Sequence, residues 1–506
     1  MSHLARSSLI IAIFFGVDKV LAFVRQIFIA RQFGLGVEID AFNAANNIPD
    51  LLSALISGGA LGMALLPVLS EYLTKSGREE TWQLFSRILN LAFLVTAGLS
   101  IVIGIFARPL MAYVIAPGFV GYQQDLAVDL MRLDLIAILI FSISGLVMAG
   151  LQANQHFRLP AMAPAFYNLG QIFGVAILAP QVGYTIGPFS LPGYGLGTYG
   201  LVYGVILGAL LHLGIQVPGL IRFGFHWMPA IEIHHPGMVK LLKLVGPRVM
   251  TMFFLQVFFI YRDHLASQLE VGAVTALNYG WFFMQVPETL IGSAIAIALL
   301  PTLSEQMARA DKEEFQKTVN RVVRVLLALT IPVAALLIVG IRPLVQTLLG
   351  FDAADTDMVV WATRMYLLGL MGHSLLEVGA RSFYAQQDAR TPLWAAALNA
   401  LVYIILATFL IQILGHAGIA LANSLAFTSE AVLLLYLLNR RFPGVWKAGN
   451  TLLRIGIGAV GSALLVYLLM RFLPLPLFPI TLGALALGVL VMVPVAWPEL
   501  KSLVKL

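Results

Sequence analysis

Leu66-Pro67-Val68-Leu69-Ser70-Glu71 returns as Leu300-Pro301-Thr302-Leu303-Ser304-Glu305, 234 residues further along the chain. Arg108-Pro109-Leu110 returns as Arg342-Pro343-Leu344 at the same spacing. A third match, AxQxxRxP, carries Ala153, Gln155, Arg158 and Pro160 into Ala385, Gln387, Arg390 and Pro392 at a spacing of 232. Three collinear matches at nearly one spacing mark an internal duplication. Six apolar segments fit within each copy. An even number returns the chain to its starting side, so both copies share one orientation across a membrane. The expected fold is an all-α polytopic membrane protein. It has two parallel six-helix lobes in a V around a central cavity, and two more helices in roughly the last 60 residues.

Composition agrees with that reading. Of 506 residues, 59% are hydrophobic and 11% charged, whereas a soluble domain carries about 25% charged. About fourteen apolar segments, 8–33, 41–70 and 475–497 among them, would need about 280 apolar positions, which this composition supplies. With the N-terminus inside, 21 of the 31 basic residues fall in cytoplasmic segments. Only Arg108, Arg342 and Arg471 fall in the opposite loops. That bias predicts cytoplasmic N- and C-termini. The lobes are expected at 1–225 and 226–441, with the added helices at 442–506.

Several functions are disfavoured. The chain has no cysteine, which removes disulfides, thiolate metal sites and cysteine nucleophiles. No HExxH, GxSxG or Walker A pattern occurs, so neither an enzyme nor a metal site is expected and no cofactor is implied. The net charge of +6 comes from short loops rather than a basic domain, so nucleic acid is not an expected partner. The energy source is then the membrane potential, an ion gradient or the substrate's own gradient. Asp18, Lys19 and Arg25 interrupt the first apolar run, unlike a cleaved signal peptide.

Ionisable residues inside apolar spans cost free energy and mark function by default. The first span carries Asp18, Lys19 and Arg25. Asp18 and Arg25 share a helix face about 10 Å apart, too far for direct neutralisation. Lys19 and Arg25 either line a wet cavity or pair with acids such as Asp129, Asp134 or Asp263. The seventh span carries Gln256 and Arg262-Asp263. Adjacent positions diverge by about 100° on a helix, so Arg262 is expected not to pair with Asp263 alone. It either adds a cation to the cavity or makes a rim contact. Arg132, Arg364, Glu377 and Arg381 read as salt-bridge residues, Glu430 as a proton site or a satisfied carboxyl, and Asp388 as a helix cap. Pro49 and Pro287 sit in corresponding spans, where they either bend gating helices or make ordinary kinks. Ser57-Gly58-Gly59-Ala60-Leu61-Gly62 reads as a portal edge for a lipid tail or as close packing. Clustered Arg and Lys suit a diphosphate.

The chain resembles the MurJ (MviN) family of lipid II flippases, within the superfamily of multidrug antiporters and polysaccharide exporters. The carrying residues run from Val24-Arg25 through Ala30-Arg31-Gln32-Phe33-Gly34 to Asp40-Ala41-Phe42 and Pro49-Asp50-Leu51-Leu52. They continue through Leu66–Tyr72, Ala116-Pro117-Gly118-Phe119, Phe157-Arg158-Leu159-Pro160-Ala161 and Phe383–Pro392. The resemblance implies fourteen helices. It also implies alternating-access transport of undecaprenyl-diphosphate-linked peptidoglycan precursor across the bacterial cytoplasmic (inner) membrane, for the cell-wall synthesis machinery. Membrane lipids would surround the chain, and its last two helices would form a groove for the tail. Two family arginines of the first helix fall on Lys19 and Arg25, the hairpin aspartate on Asp40, and the seventh-helix glutamine on Gln256. Other family positions depart. A second-helix arginine falls on Ser53, an Asp-Arg pair on Trp281-Phe282, a nearby glutamate on Gln285, and the acid after the second arginine on Gln26. Arg262 stands where one charge is restored. The alternatives are a flippase for another undecaprenyl-diphosphate glycan, an ion-coupled small-molecule antiporter, or a transport-inactive scaffold.

Overall fold

The computed structural model describes residues 3–56, 60–186, 188–473 and 476–503. The chain forms two compact units, Met1–Val271 and Gly272–Leu506. In the first, ten helices follow one another: α1 (His3–Phe33), α2 (Val37–Ala45), α3 (Asn47–Ile56), α4 (Ala60–Lys75), α5 (Gly77–Pro109), α6 (Tyr122–Ala153), α7 (Arg158–Phe173), α8 (Gly197–Gly214), α9 (Val217–Arg222) and α10 (Pro236–Ala266). The second holds α11 (Ala273–Glu288), α12 (Ala294–Ala308), α13 (Lys312–Leu349), α14 (Ala353–Leu367), α15 (Leu370–Ala385), α16 (Arg390–Leu414), α17 (His416–Arg441), α18 (Gly449–Phe472) and α19 (Leu477–Leu503).

Among the described residues, ten helices are long and apolar enough to cross a membrane. The 31-residue helices α1 and α10 and the broken runs α2–α4 and α14–α15 lie outside those ten. The run expected as one span at 41–70 is interrupted between α2 and α3. The chain turns at Asn46, and Pro49 sits in the first turn of α3. A missing N–H breaks no helical hydrogen bond there. Pro287 ends α11, and a wide π-type turn, Thr289–Ser293, leads into α12. The candidate portal residues Gly58 and Gly59 lie outside the described residues.

The two copies match well beyond their sequence anchors. Ser70 Oγ donates to the Leu66 carbonyl at 2.8 Å, and Ser304 Oγ to the Leu300 carbonyl at 2.8 Å. Glu71 then pairs with Lys75, and Glu305 with Arg309, each one helical turn on. Arg108 pairs with Asp125, and Arg342 with Asp357. Arg132 Nε donates to the Gly104 carbonyl at 3.0 Å, and Arg364 Nε to the Ile338 carbonyl at 2.9 Å. Gln155 and Gln387 both take φ 60, a left-handed corner that a side chain adopts only under local constraint.

Within the first unit, Leu65, Leu84, Phe85, Leu146 and Met238 form one core from α4, α5, α6 and α10. The repeat register opens its second copy with α10, yet α10 packs in the first unit. Helices α7 and α8 meet through glycine. A Cβ at Gly170 would stand 2.4 Å from Gly208 Cα, and one at Gly174 2.6 Å from Gly204 Cα. Small residues permit this approach, and dispersion between the backbones follows from it. One feature departs from an all-α expectation. Tyr184–Ile186 and Phe189–Leu191 pair as a two-stranded antiparallel hairpin between α7 and α8.

Candidate functional site

The polar interior of the first unit is built on α1 and α7. Arg25 Nη1 donates to Asn168 Oδ1 at 3.1 Å and to Gln171 Oε1 at 2.8 Å. The other end of the Asn168 amide donates to Asp18 Oδ1 at 2.8 Å. Asn168 therefore bridges the two charges of α1 that stand too far apart to meet. Neutral amides orient a guanidinium without cancelling its formal charge. Lys19 lies 3.8 Å from Asp18 and 5.1 Å from the centre of the Phe15 ring, with its side chain 59% exposed. Sequence reasoning singled out Lys19 and Arg25 but missed Asn168 and Gln171. The available signal was two amides within an apolar segment, which require partners there.

A second set lies on α3 and α10. Arg262 Nε donates to Asp263 Oδ1 at 2.7 Å, and both side chains are buried. The contact is direct, but Asp263 also takes a hydrogen bond from Asn47, so the pair is not self-contained, as the sequence predicts. The guanidinium stem is long enough to fold back across the 100° between them. Asn47 Nδ2 donates to Asp263 Oδ2 at 2.7 Å, tying α3 to α10. Arg262 also stands 5.3 Å from the Phe259 ring. Asp50 is exposed yet within electrostatic reach of Arg25, Arg262 and Asp263. Asp134 of α6 is buried, its Oδ1 without a hydrogen-bond partner. Ser53 and Gln256 are half-buried, on α3 and α10. Asp40 is buried near the start of α2, its N–H donating to the Gly36 carbonyl at 3.1 Å.

In the second unit the positions to which the resemblance assigns an Asp-Arg pair are aromatic. Trp281 packs edge-on against Tyr366 at 5.6 Å and His373 at 5.5 Å. His373 in turn stacks on Phe427 at 4.1 Å. Gln285 is exposed, and Pro287 is buried at the end of α11. Glu430 is buried and accepts from Asn399 Nδ2 at 2.6 Å, a satisfied carboxyl. Arg381 pairs with Glu377 one turn away on α15. Asp388 receives the backbone N–H groups of Arg390 and Thr391 at 3.1 and 3.0 Å and so caps α16. Burial pushes its carboxyl up, but the Thr391 backbone and hydroxyl and Arg441 hold it down at about 2. No cluster of three or more metal-ligating side chains occurs among the described residues.

Membrane-length helices in a duplicated array, with Arg25, Asp134, Arg262 and Asp263 set among them, define a multi-pass membrane transporter. Solved structures share this fold. A multidrug resistance MATE family transporter of the MOP superfamily, inward-facing, aligns with TM-score 0.72 and 14% identity, over 85% of this chain and 96% of that one. A lipid II flippase MurJ in an inward closed conformation aligns with TM-score 0.82 and 23% identity, over 98% of this chain and 100% of that one. In sequence, the lipid II flippase MurJ of Burkholderia cenocepacia is 30% identical over 480 residues, covering 93% of this chain and 90% of that protein. A probable lipid II flippase MurJ of Vibrio cholerae is 28% identical over 443 residues, covering 85% and 82%. The family described as Lipid II flippase MurJ matches residues 29–494, and the chain belongs to that family.

Proposed function

We propose that this chain carries lipid II, the undecaprenyl-diphosphate-linked peptidoglycan precursor, from the inner to the outer leaflet of the bacterial cytoplasmic membrane. The observation that carries the reading is the family match over 29–494. The Arg25 network supplies its chemistry. A guanidinium oriented by Asn168 and Gln171, with exposed Lys19 six residues earlier on α1, suits a diphosphate bearing several acceptor oxygens. Adding α1, α10 and the runs α2–α4 and α14–α15 to the ten apolar helices gives fourteen spans in two six-helix lobes plus two. Both termini are cytoplasmic. The substrate moves by alternating access without covalent chemistry, driven by the membrane potential or an ion gradient.

Depletion of the resident lipid II flippase in a bacterium, with rescue by this chain, tests the proposal. Rescue is expected, and it is expected to disappear with Arg25→Ala and to weaken with Lys19→Ala and Arg262→Ala. Absence of rescue from a membrane-inserted chain overturns the lipid II assignment. The aromatic packing at Trp281, in place of the family's charges, favours one second reading: the same diphosphate with a different glycan. A chain that fails with lipid II yet restores another undecaprenyl-diphosphate glycan pathway would establish it.

A further inference from the structure

Helices α13, α14, α18 and α19 of the second unit border an open pocket of ≈ 580 Å³. Its walls are largely apolar, Ile338, Met365 and Met470 among them, and three arginines, Arg342, Arg364 and Arg471, line it. The duplication supplies an internal control. Arg342 and Arg364 repeat Arg108 and Arg132 at spacings of 234 and 232, with the same kinds of partner. In the first copy the two arginines face two acids, since Arg108 pairs with Asp125 and Arg132 lies 3.8 Å from Asp129. In the second, Asp357 remains opposite Arg342, but the counterpart of Asp129 is Trp361, and the Arg364 guanidinium stands 5.6 Å from its ring. Helix α18, outside the repeat, adds Arg471, which donates to Tyr467 Oη at 2.9 Å. Two arginines and two acids have become three arginines and one acid around an apolar pocket.

We infer that this pocket binds an anionic phospholipid, its phosphodiester against Arg364 and Arg471 and its acyl chains along the apolar wall. A π-face orients a guanidinium without cancelling its charge, so Arg364 keeps a full charge for a phosphate. Trp361 and Tyr467, each about half exposed, are the residue types that anchor protein at the lipid headgroup level. A soluble anion would leave the apolar wall uncovered, and a zwitterionic lipid carries an ammonium that the arginines repel.

The test uses the full chain in detergent, titrated with phosphatidylglycerol or phosphatidylethanolamine of identical acyl chains and read by native mass spectrometry. Phosphatidylglycerol is expected to bind about tenfold tighter, since each basic group near a lipid surface contributes measurably. Arg364→Gln and Arg471→Gln are each expected to lower that preference severalfold, and Trp361→Asp, which restores the first copy's pattern, to abolish it. Arg471 is exposed at a helix end, so its variant keeps the fold and reads binding alone. Arg108→Gln and Arg132→Gln are expected to leave the preference unchanged. Equal binding of the two lipids, or a preference unaltered in the Arg364→Gln/Arg471→Gln double variant, overturns the proposal. So does competition by inorganic phosphate at equal concentration. Displacement by undecaprenyl phosphate at equal concentration overturns the phospholipid assignment in favour of a polyprenyl chain.

Discussion

Lys19, Asp50, Asp134 and Gln171 of the first copy correspond, at the repeat spacings, to Phe253, Met284, Tyr366 and Tyr403 of the second, and Arg25 corresponds to Phe259. Met284, Tyr366 and Tyr403 are buried. Corners behave oppositely. The left-handed glutamines, the serine-to-carbonyl hydrogen bonds and the arginine-to-carbonyl contacts recur in both copies nearly unchanged. Backbone turns tolerate few substitutions because their dihedral angles are set by sterics. An interior position tolerates any side chain whose volume and polarity its neighbours satisfy. Duplication therefore kept the frame, while these charged and polar interior positions of the first copy became apolar or aromatic in the second.

That asymmetry breaks most visibly at the aromatic cluster. Trp281→Ala is expected to lower stability by about 3–5 kcal/mol, as large-to-small changes in packed aromatic clusters do. The midpoint of thermal unfolding in detergent reads it. Should Trp281→Ala instead spare stability and abolish transport, the second copy holds substrate after all. On α1, Arg25→Ala removes the guanidinium offered to the diphosphate, so transport per inserted molecule in a reconstituted flipping assay is expected to fall at least about tenfold. The two hydrogen bonds lost with it, about 1.5–3 kcal/mol each, should lower the melting temperature about as much as Trp281→Ala does. Arg25→Lys restores the charge without the fork that reaches Asn168 and Gln171 together, and should recover only part of the rate.

Much of this was legible in the sequence, for identifiable reasons. Anchors such as LPxLSE announce themselves because a proline within a helix, a serine bonded back to the carbonyl four residues earlier and a glutamate paired one turn on all fall within about ten residues. The break of the second span at Asn46 was not legible, since Pro49, the apparent breaker, sits where a helix accepts proline. The hairpin at Tyr184–Leu191 lies in a Gly- and Pro-rich stretch whose strands are three residues each, too short for a period to show. For the site, charged residues stand out against apolar sequence, so Arg25 is conspicuous. Its partners are amides 143 and 146 residues away, and no local pattern encodes that distance. The direct contact of Arg262 with Asp263 was not legible either, for a different reason. Cβ directions predict where short side chains go, and arginine is long enough to ignore them.

The shared corners offer a finer comparison. Gln155 and Gln387 hold φ 60 with a side chain attached, which costs about 1–2 kcal/mol relative to the right-handed region. Replacing either with glycine is expected to stabilise by up to about 1 kcal/mol, less the chain entropy that glycine adds to the unfolded state. Equal shifts from Gln155→Gly and Gln387→Gly, additive in the double variant, are the expected outcome. A gain at one corner alone would show that the two turns are alike in angle but not in strain.

Beside those corners the copies differ by one residue with opposite chemistry. The residue after Gln155 is His156, and the residue after Gln387 is Asp388. Burial lowers the His156 pKa from 6.5, with Arg222 and Arg158 adding to the effect. The unfolded chain then takes up a proton more readily, so stability at the first corner falls as pH drops below 6.5. Asp388, held at about 2 against a usual 3.8, stabilises above 3.8, and that contribution is lost as pH falls from there through 2. Both corners weaken on acidification but in separate windows. His156→Asn should flatten the pH dependence of melting around and below pH 6.5 and leave the acid limb intact. Asp388→Asn should flatten the limb between pH 4 and pH 2 and leave the upper one. One melting transition moved by both variants, each in its own window, would make the copies one cooperative unit, whereas two transitions, each moved by one variant alone, would show that they unfold separately.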